Sequence, residues 1–278
     1  MQSWYSIHLT PKNDHNTFLV NSYLPFCEQL IWTTRGVRTF FIRYEDQSGP
    51  HLRLRFRGDT EWLEKTLEPA IQQQFKKKAT WTVVPYLGET DRFGGAQNLA
   101  WAEEHFHIST RVVLARLSRP NHGYGDALFD GLKLLVMGGF AAQLSKADMA
   151  RYYDQLCDQW IKAFFIPSES MSEGDLSAAV REDFKATLAP QFSFLQDALS
   201  QVLIDLEATE ASTNPENSYD NRQPEWLRWL KGNQLIFKEL GAQKELVLPH
   251  ILHLNNNRLG IINQDEAYML YVLGSILK

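Results

Sequence analysis

A chain of 278 residues that is 44% hydrophobic and 12% aromatic can bury one large core or two smaller lobes, which excludes a disordered protein. A formal charge of -5 and a pI near 5.9 argue against a protein built around a nucleic-acid backbone, and direct nucleic-acid binding is not expected. The two cysteines, Cys27 and Cys157, lie far apart in no ligand-like spacing, which excludes a disulfide framework or zinc cluster and fits a reducing cytoplasm.

Met1 to Tyr5 shows no charged and apolar signal pattern. The most apolar stretch, Leu132 to Leu144, is too short for a bilayer span of roughly 20 residues and reads as a buried helix. No membrane association is expected. Strand signals crowd into the first ninety or so residues, and almost everything after Gly95 has helical periodicity. That segregation predicts an α+β fold, with a mostly antiparallel sheet. One domain over 1–278 is expected, a sheet-containing part at 1–118 and a mostly helical part at 119–278.

Trp4 to Leu9 reads as a strand, and Phe18 to Trp32 as a helix interrupted at Pro25. Val37 to Tyr44 and His51 to Arg57 form a hairpin around the turn formers Asp46, Ser48, Gly49 and Pro50. Asp59-Thr60 caps a helix to about Lys78, and Trp81 to Tyr86 is a further strand. Helices follow at Ala96 to Leu117 and at roughly 126–144, 146–165, 177–207, 225–241, 247–256 and 264–277, with a polar loop at Ser212 to Pro224.

Three features could carry chemistry. In the strand from His51 to Arg57 a period of two puts His51, Arg53, Arg55 and Arg57 on one face and turns Leu52, Leu54 and Phe56 to the core. Same-side guanidiniums roughly 7 Å apart repel one another unless water, protein carboxylates or an anionic ligand intervenes. Two readings stand open: a solvated face paired with Asp and Glu, or a site for carboxylate or phosphate, to which arginine donates two parallel hydrogen bonds. The loop Tyr86 to Gly95 is polar, and its twin glycines precede a helix whose N–H groups could meet an anion. An ordinary strand-to-helix turn would look the same. In Pro249 to Gly260, His250 and His253 share a helix face, and Asn257 is one turn beyond His253. No acidic or thiol ligand accompanies the pair, so a proton carrier or a packed histidine is the reading, and no metal. His105 and His107 are two apart on a helix and do not chelate, and Gly123-Tyr124-Gly125 lacks a dinucleotide fingerprint. No cofactor is implied.

Taken together and in order, FFIRYED (Phe40 to Asp46), HLRLRF (His51 to Phe56), ETDRFGG (Glu89 to Gly95), AEEHFHIS (Ala102 to Ser109) and HLNNNRLG (His253 to Gly260) resemble the C-terminal elimination domain of lantibiotic dehydratases and the related thiopeptide-type bacteriocin biosynthesis proteins. The resemblance spans almost the whole chain, loosely over 120–245. Phe93 stands where the family usually has Tyr, and Ile108-Ser109 where it has Asp-Ser. The resemblance implies β-elimination of glutamate from glutamylated Ser or Thr of a precursor peptide, giving dehydroalanine or dehydrobutyrine. It implies catalytic roles for Arg53, Arg55, Arg92 and His253, with Glu89 as an accompanying acid. Arg43, His51, Asn257 and Arg258 are further candidates to bind substrate. The implied partners are the precursor peptide and a separate glutamyl-tRNA-dependent glutamylating protein, and a homodimer is left open. Two alternatives remain: a pyridine synthase joining two dehydroalanines by a formal [4+2] cycloaddition, and a non-catalytic partner that binds the precursor peptide.

Overall fold

The computed structural model describes residues 1–165 and 225–278, together with 179, 180, 182–184, 186, 187 and 200. The polar loop expected at Ser212 to Pro224, and nearly all of the helix expected at 177–207, lie outside the described residues. The chain forms two compact units, Met1–Gly123 with Glu239–Gly260, and Tyr124–Lys238 with Ile261–Lys278. The histidine-bearing helix therefore belongs with the sheet, rather than with the helical part where the linear division at 118 had placed it.

The first unit begins with β1 (Gln2–Pro11), followed by a helical run α1 from His15 to Ile31, and then β2 (Arg38–Asp46) and β3 (Gly49–Asp59). A second helical run α2 from Thr60 to Phe75 leads to β4 (Ala79–Val83). The strands lie in the order β2-β3-β1-β4 with every neighbour antiparallel, so β1-α1-β2 crosses over β3. This is the ferredoxin-like split βαβ arrangement. The β2–β3 hairpin closes through Gln47-Ser48, where Asp46 Oδ1 accepts from Ser48 N at 2.8 Å and Gly49 adopts φ 92°. Asp59 caps α2 by accepting from Glu61 N at 3.0 Å. Pro25 does not break α1: the α-helical turn Leu24–Phe26 that holds it sits between π-helical turns at Leu19–Tyr23 and Cys27–Ile31. Wider turns absorb a missing N–H without ending the helix.

The two sheet faces differ in chemistry. Ile7, Leu9, Phe41, Leu52, Leu54 and Phe56 are all 0% exposed and meet α1, with Tyr23 edge-on to Phe41 and Phe56, and Phe26 edge-on to Phe56. The register places Trp4, Ser6 and His8 of β1 beside Arg57, Arg55 and Arg53 on the other face, with Arg38, Phe40 and Ile42 of β2 across from them and Tyr44 across from His51. That face is covered by α3 (Ala96–Leu117) and α7 (Lys244–Leu259), with Phe106 of α3 5.2 Å from Phe40.

Side chains from these two helices also seal the free edge of β2. His107 Nδ1 lies 3.1 Å from both Thr39 N and Thr39 O, Arg258 Nε donates to Phe41 O at 2.9 Å, and the Asn257 carboxamide accepts from Arg43 N at 3.0 Å and donates to Arg43 O at 2.9 Å. Thr39, Phe41 and Arg43 of that edge thus each have a side-chain partner, one way a fold prevents unwanted strand pairing.

The second unit is helical, with α4 (Tyr124–Ala141), α5 (Lys146–Phe165), α8 (Asn263–Ile276) and most of α6 (Glu225–Leu240). α5 and α8 run against one another. Tyr153 OH donates to Leu135 O at 2.6 Å and Cys157 Sγ lies 3.5 Å from Ala267 O, so the second cysteine is a core residue. No helix among the described residues is long and apolar enough to cross a membrane.

Candidate functional site

The charged face of β3 is not a solvated one. His51 and Arg55 are 3% and 7% exposed, and Arg53 and Arg57 are half-buried. The period-two spacing delivers all four to one side, while α3 and α7 remove most of the water. Each arginine has a different companion. Arg53 lies flat on Tyr44, its Cζ 3.2 Å from the ring centre. Arg55 donates to Ser6 Oγ, lies 3.5 Å from His8 Nε2, and faces the Tyr86 ring at 5.4 Å. Arg57 is 3.7 Å from Glu103, which accepts from Tyr86 OH at 2.7 Å. Among the described residues neither Arg53 nor Arg55 has a carboxylate within 4.0 Å.

Electrostatics follow from that imbalance. Burial, and then the neighbouring Arg53, lowers Arg55 from 12.5 to about 10. Burial followed by Arg53 and Arg55 lowers His8 to about 4, so His8 is a neutral imbidazole-ring acceptor facing a guanidinium. Burial raises the carboxyl of Glu103, and burial together with Glu103 pushes the Tyr86 phenol well up. Tyr86 is thus held as a neutral hydroxyl.

The loop between β4 and α3 brings the next group. Gly94 and Gly95 adopt φ 71° and 121°, a reversal that L side chains rarely follow. It turns Phe93 inward, 5.9 Å from Phe106 and 5.4 Å from His250. Arg92 Nη1 donates to Glu89 at 3.0 Å and its Nε donates to His250 Nδ1 at 3.2 Å. That acceptor role requires a neutral His250, whose pKa is lowered to about 4 by burial and then by Arg92.

Arg53, Arg55, Glu89, Arg92, His253 and Asn257 all line one cavity of about 180 Å³, with Tyr44 and Tyr86 among its walls. These six residues, singled out from three distant motifs, therefore share one space. The other candidates fall outside it or are engaged elsewhere. Arg258 is 0% exposed, donates to Phe41 O and Leu254 O, and stacks near Phe106 at 4.9 Å. It is a structural group, and its expected role in binding substrate is withdrawn. Arg43 lines the cavity, but its guanidinium is directed to Arg258 O and Asn16, and Asn257 holds the β2 edge. His51 is buried beneath His8, 5.0 Å away, with Nδ1 3.1 Å from Gly49 O. Tyr44, Tyr86, Glu103 and His8 were not anticipated as site groups. His8 and Ser6 share the parity of the arginines once β1 is known to pair with β3, but Tyr86 and Glu103 carry no local signal.

No group of three His, Cys, Asp or Glu among the described residues is arranged to hold a metal ion. Chemically, the cavity offers paired guanidiniums for an anion, the aromatic faces of Tyr44 and Tyr86, and the imidazole of His253.

Known proteins resemble this chain in fold and, over part of its length, in sequence. TbtD, described as the pyridine synthase from thiomuracin biosynthesis, superposes with a TM-score of 0.69 at 14% identity, covering 99% of this chain and 97% of its own. TsrL gives 0.65 at 14% identity, covering 99% and 94%. MibB, the tRNA dependent lantibiotic dehydratase of Microbispora sp. 107891, gives 0.54 at 19% identity, covering 98% of this chain and 28% of MibB. The nisin biosynthesis protein NisB of Lactococcus lactis subsp. lactis is 28% identical over 127 residues, which is 45% of this chain and 12% of NisB. The structural likenesses establish the fold. Residues 4–277 match the family described as "Lantibiotic biosynthesis dehydratase C-term", and with nearly the whole chain covered, the protein belongs to that family.

Proposed function

We propose that this protein removes glutamate by β-elimination from glutamylated Ser or Thr side chains of a precursor peptide, leaving dehydroalanine or dehydrobutyrine. The observation that carries this reading is the convergence of Arg53, Arg55, Arg92 and His253 on one cavity, with Arg53 and Arg55 lacking a carboxylate among the described residues. In the reaction a base takes the Cα proton, the electron pair forms the Cα–Cβ double bond, and the Cβ–O bond breaks with its electrons going to the glutamate carboxylate. Guanidiniums placed where negative charge develops stabilise both the enolate-like transition state and the departing anion. His253 exchanges a proton with the substrate or leaving group. The glutamate would be attached to Ser or Thr in an earlier reaction, and the chain spans 28% of the length of MibB.

A second reading is favoured by one observation, the likeness over 97% of the TbtD chain. A cycloaddition between dehydroalanines expels no glutamate and gives the arginine row no carboxylate to hold, so elimination is the better account. Intact-mass measurement separates the two. Incubation with a glutamylated Ser/Thr peptide should release glutamic acid, with Arg92→Ala and His253→Ala folded but inactive. Ring formation from a bis-dehydroalanine peptide, with no glutamate release, would favour the synthase. Wild-type glutamate release by both variants would overturn the site assignment.

A further inference from the structure

The two edges of the sheet are treated oppositely. On β2, the backbone of outward-facing Thr39, Phe41 and Arg43 is met in each case by a side chain. On β4 the ladder to β1 is bracketed by Lys12 N donating to Lys78 O at 2.9 Å and Val84 N donating to Ser6 O at 3.0 Å. With Ile7 opposite Val83, Leu9 opposite Trp81 and Pro11 opposite Ala79, the alternation of an antiparallel pair turns Thr80 and Thr82 toward β1. It leaves the backbone N–H and C=O of Ala79, Trp81 and Val83 pointing outward. No described residue bonds them. Thr80, Thr82 and Val83 are exposed. An edge that no described residue blocks, opposite one that is blocked, is a template for another strand.

Charge marks one end of that template. Lys76, Lys77 and Lys78 run exposed into β4, and the bond from Lys12 to Lys78 brings a fourth lysine to the same corner. At the other end the chain continues through Val84 and Pro85 to Tyr86 and Leu87, which line the arginine cavity. A strand added beside β4 would lie about 14 Å from β3, three strand spacings away. Roughly five extended residues span that distance.

We propose that the β4 edge takes an extended segment of the peptide substrate as a fifth strand, with acidic side chains of that segment at the Lys76–Lys78 end. This rests on the reading above that the substrate is a peptide, and it adds where that peptide is gripped. Backbone pairing supplies affinity largely independent of sequence, while the lysines supply direction.

The test is to select a displayed library of random 12-residue peptides on the full chain, then measure binding and amide exchange with the enriched peptides. Enrichment of acidic, β-branched sequences is expected, with Trp81 and Val83 amides slowing on binding while Thr80 and Thr82 are already protected. Val83→Pro removes an outward donor without touching a β1–β4 bond and should weaken binding about tenfold. Lys77→Glu with Lys78→Glu, a surface change that leaves the fold alone, should weaken it at least as much. No enrichment, equal binding by both variants, or unchanged exchange at Trp81 and Val83 overturns the proposal. Arg92→Ala keeps the failure modes apart, because it should abolish glutamate release and leave peptide binding unchanged.

Discussion

Replacing Arg55 by Met should impair function without impairing the fold, a combination that distinguishes a site residue from a structural one. Lowering the guanidinium from 12.5 to about 10 corresponds to about 3 kcal/mol of opposition to folding, at ~1.4 kcal/mol per pH unit. Screening by water reaching the cavity leaves roughly half of it. Because the folded state binds the proton less tightly than the unfolded one, this opposition is present at every pH below about 10. It is relieved only as pH rises through that value toward 12.5. Met keeps the length of the apolar stem and gives up the hydrogen bond to Ser6 and the approach to His8, worth about 1 kcal/mol. The balance at pH 7 is stability that is unchanged or raised by up to about 1 kcal/mol, whereas a typical core substitution loses ~1 kcal/mol or more. Urea unfolding followed by tryptophan fluorescence measures the first quantity, and glutamate release the second, which should fall about a hundredfold or more. A stability loss above about 2 kcal/mol, or retained turnover, would refute the reasoning.

His250→Phe should leave the loop folded but free Arg92 Nε, raising KM about fivefold with little change in kcat; a loss confined to kcat would contradict a positioning role. Asn257→Ala strips both bonds from the backbone of Arg43 and should lower stability by about 1–3 kcal/mol, read from the same urea titration. His107 is held at about 4 by burial and then by Arg38, so the unfolded chain takes up its proton near pH 6.5 while the native one does not. Stability is therefore lost as pH falls from about 6.5 toward 4, and His107→Gln should show a smaller drop in Tm between pH 7 and 5 than the parent. Gly94→Ala would place a Cβ 2.6 Å from Leu246 at φ 71°, costing roughly 1–3 kcal/mol and displacing Arg92; calorimetry showing an unchanged Tm would rule out that close approach.

Much of the fold was legible because its determinants are local. The alternation in HLRLRFR sets which side chains meet the core, Asp59 announces its helix, and Ala96–Leu117 has the bounds its periodicity predicts. The non-local pairings were not legible. Nothing in β1 says that it inserts between β3 and β4, and so nothing marks Ser6 and His8 as neighbours of Arg55. Polarity misled at Arg258, which follows a proposed catalytic histidine by five residues yet serves the Phe41 carbonyl of β2, a demand arising only when that edge is buried; Asn257 lines the cavity and also holds the Arg43 backbone. Tyr86 and Glu103, 17 residues apart in sequence, become a site pair only through the turn at Gly94 and Gly95.

The sealing of β2 has a consequence for the order in which the molecule is made. His107 is in place once α3 has formed, but Asn257 and Arg258 reach the edge from 214 and 217 residues beyond their partners. At ~5–20 residues per second the ribosome needs on the order of ten seconds or more to add them. During that interval a nascent chain carries a finished hairpin with the outward backbone of Phe41 and Arg43 unguarded, so chaperone occupancy of ribosome-bound chains should be concentrated in the stretch before residue 260 emerges. Fragments ending near 123 would carry the same open edge permanently and should self-associate, even though they contain all four strands of the sheet.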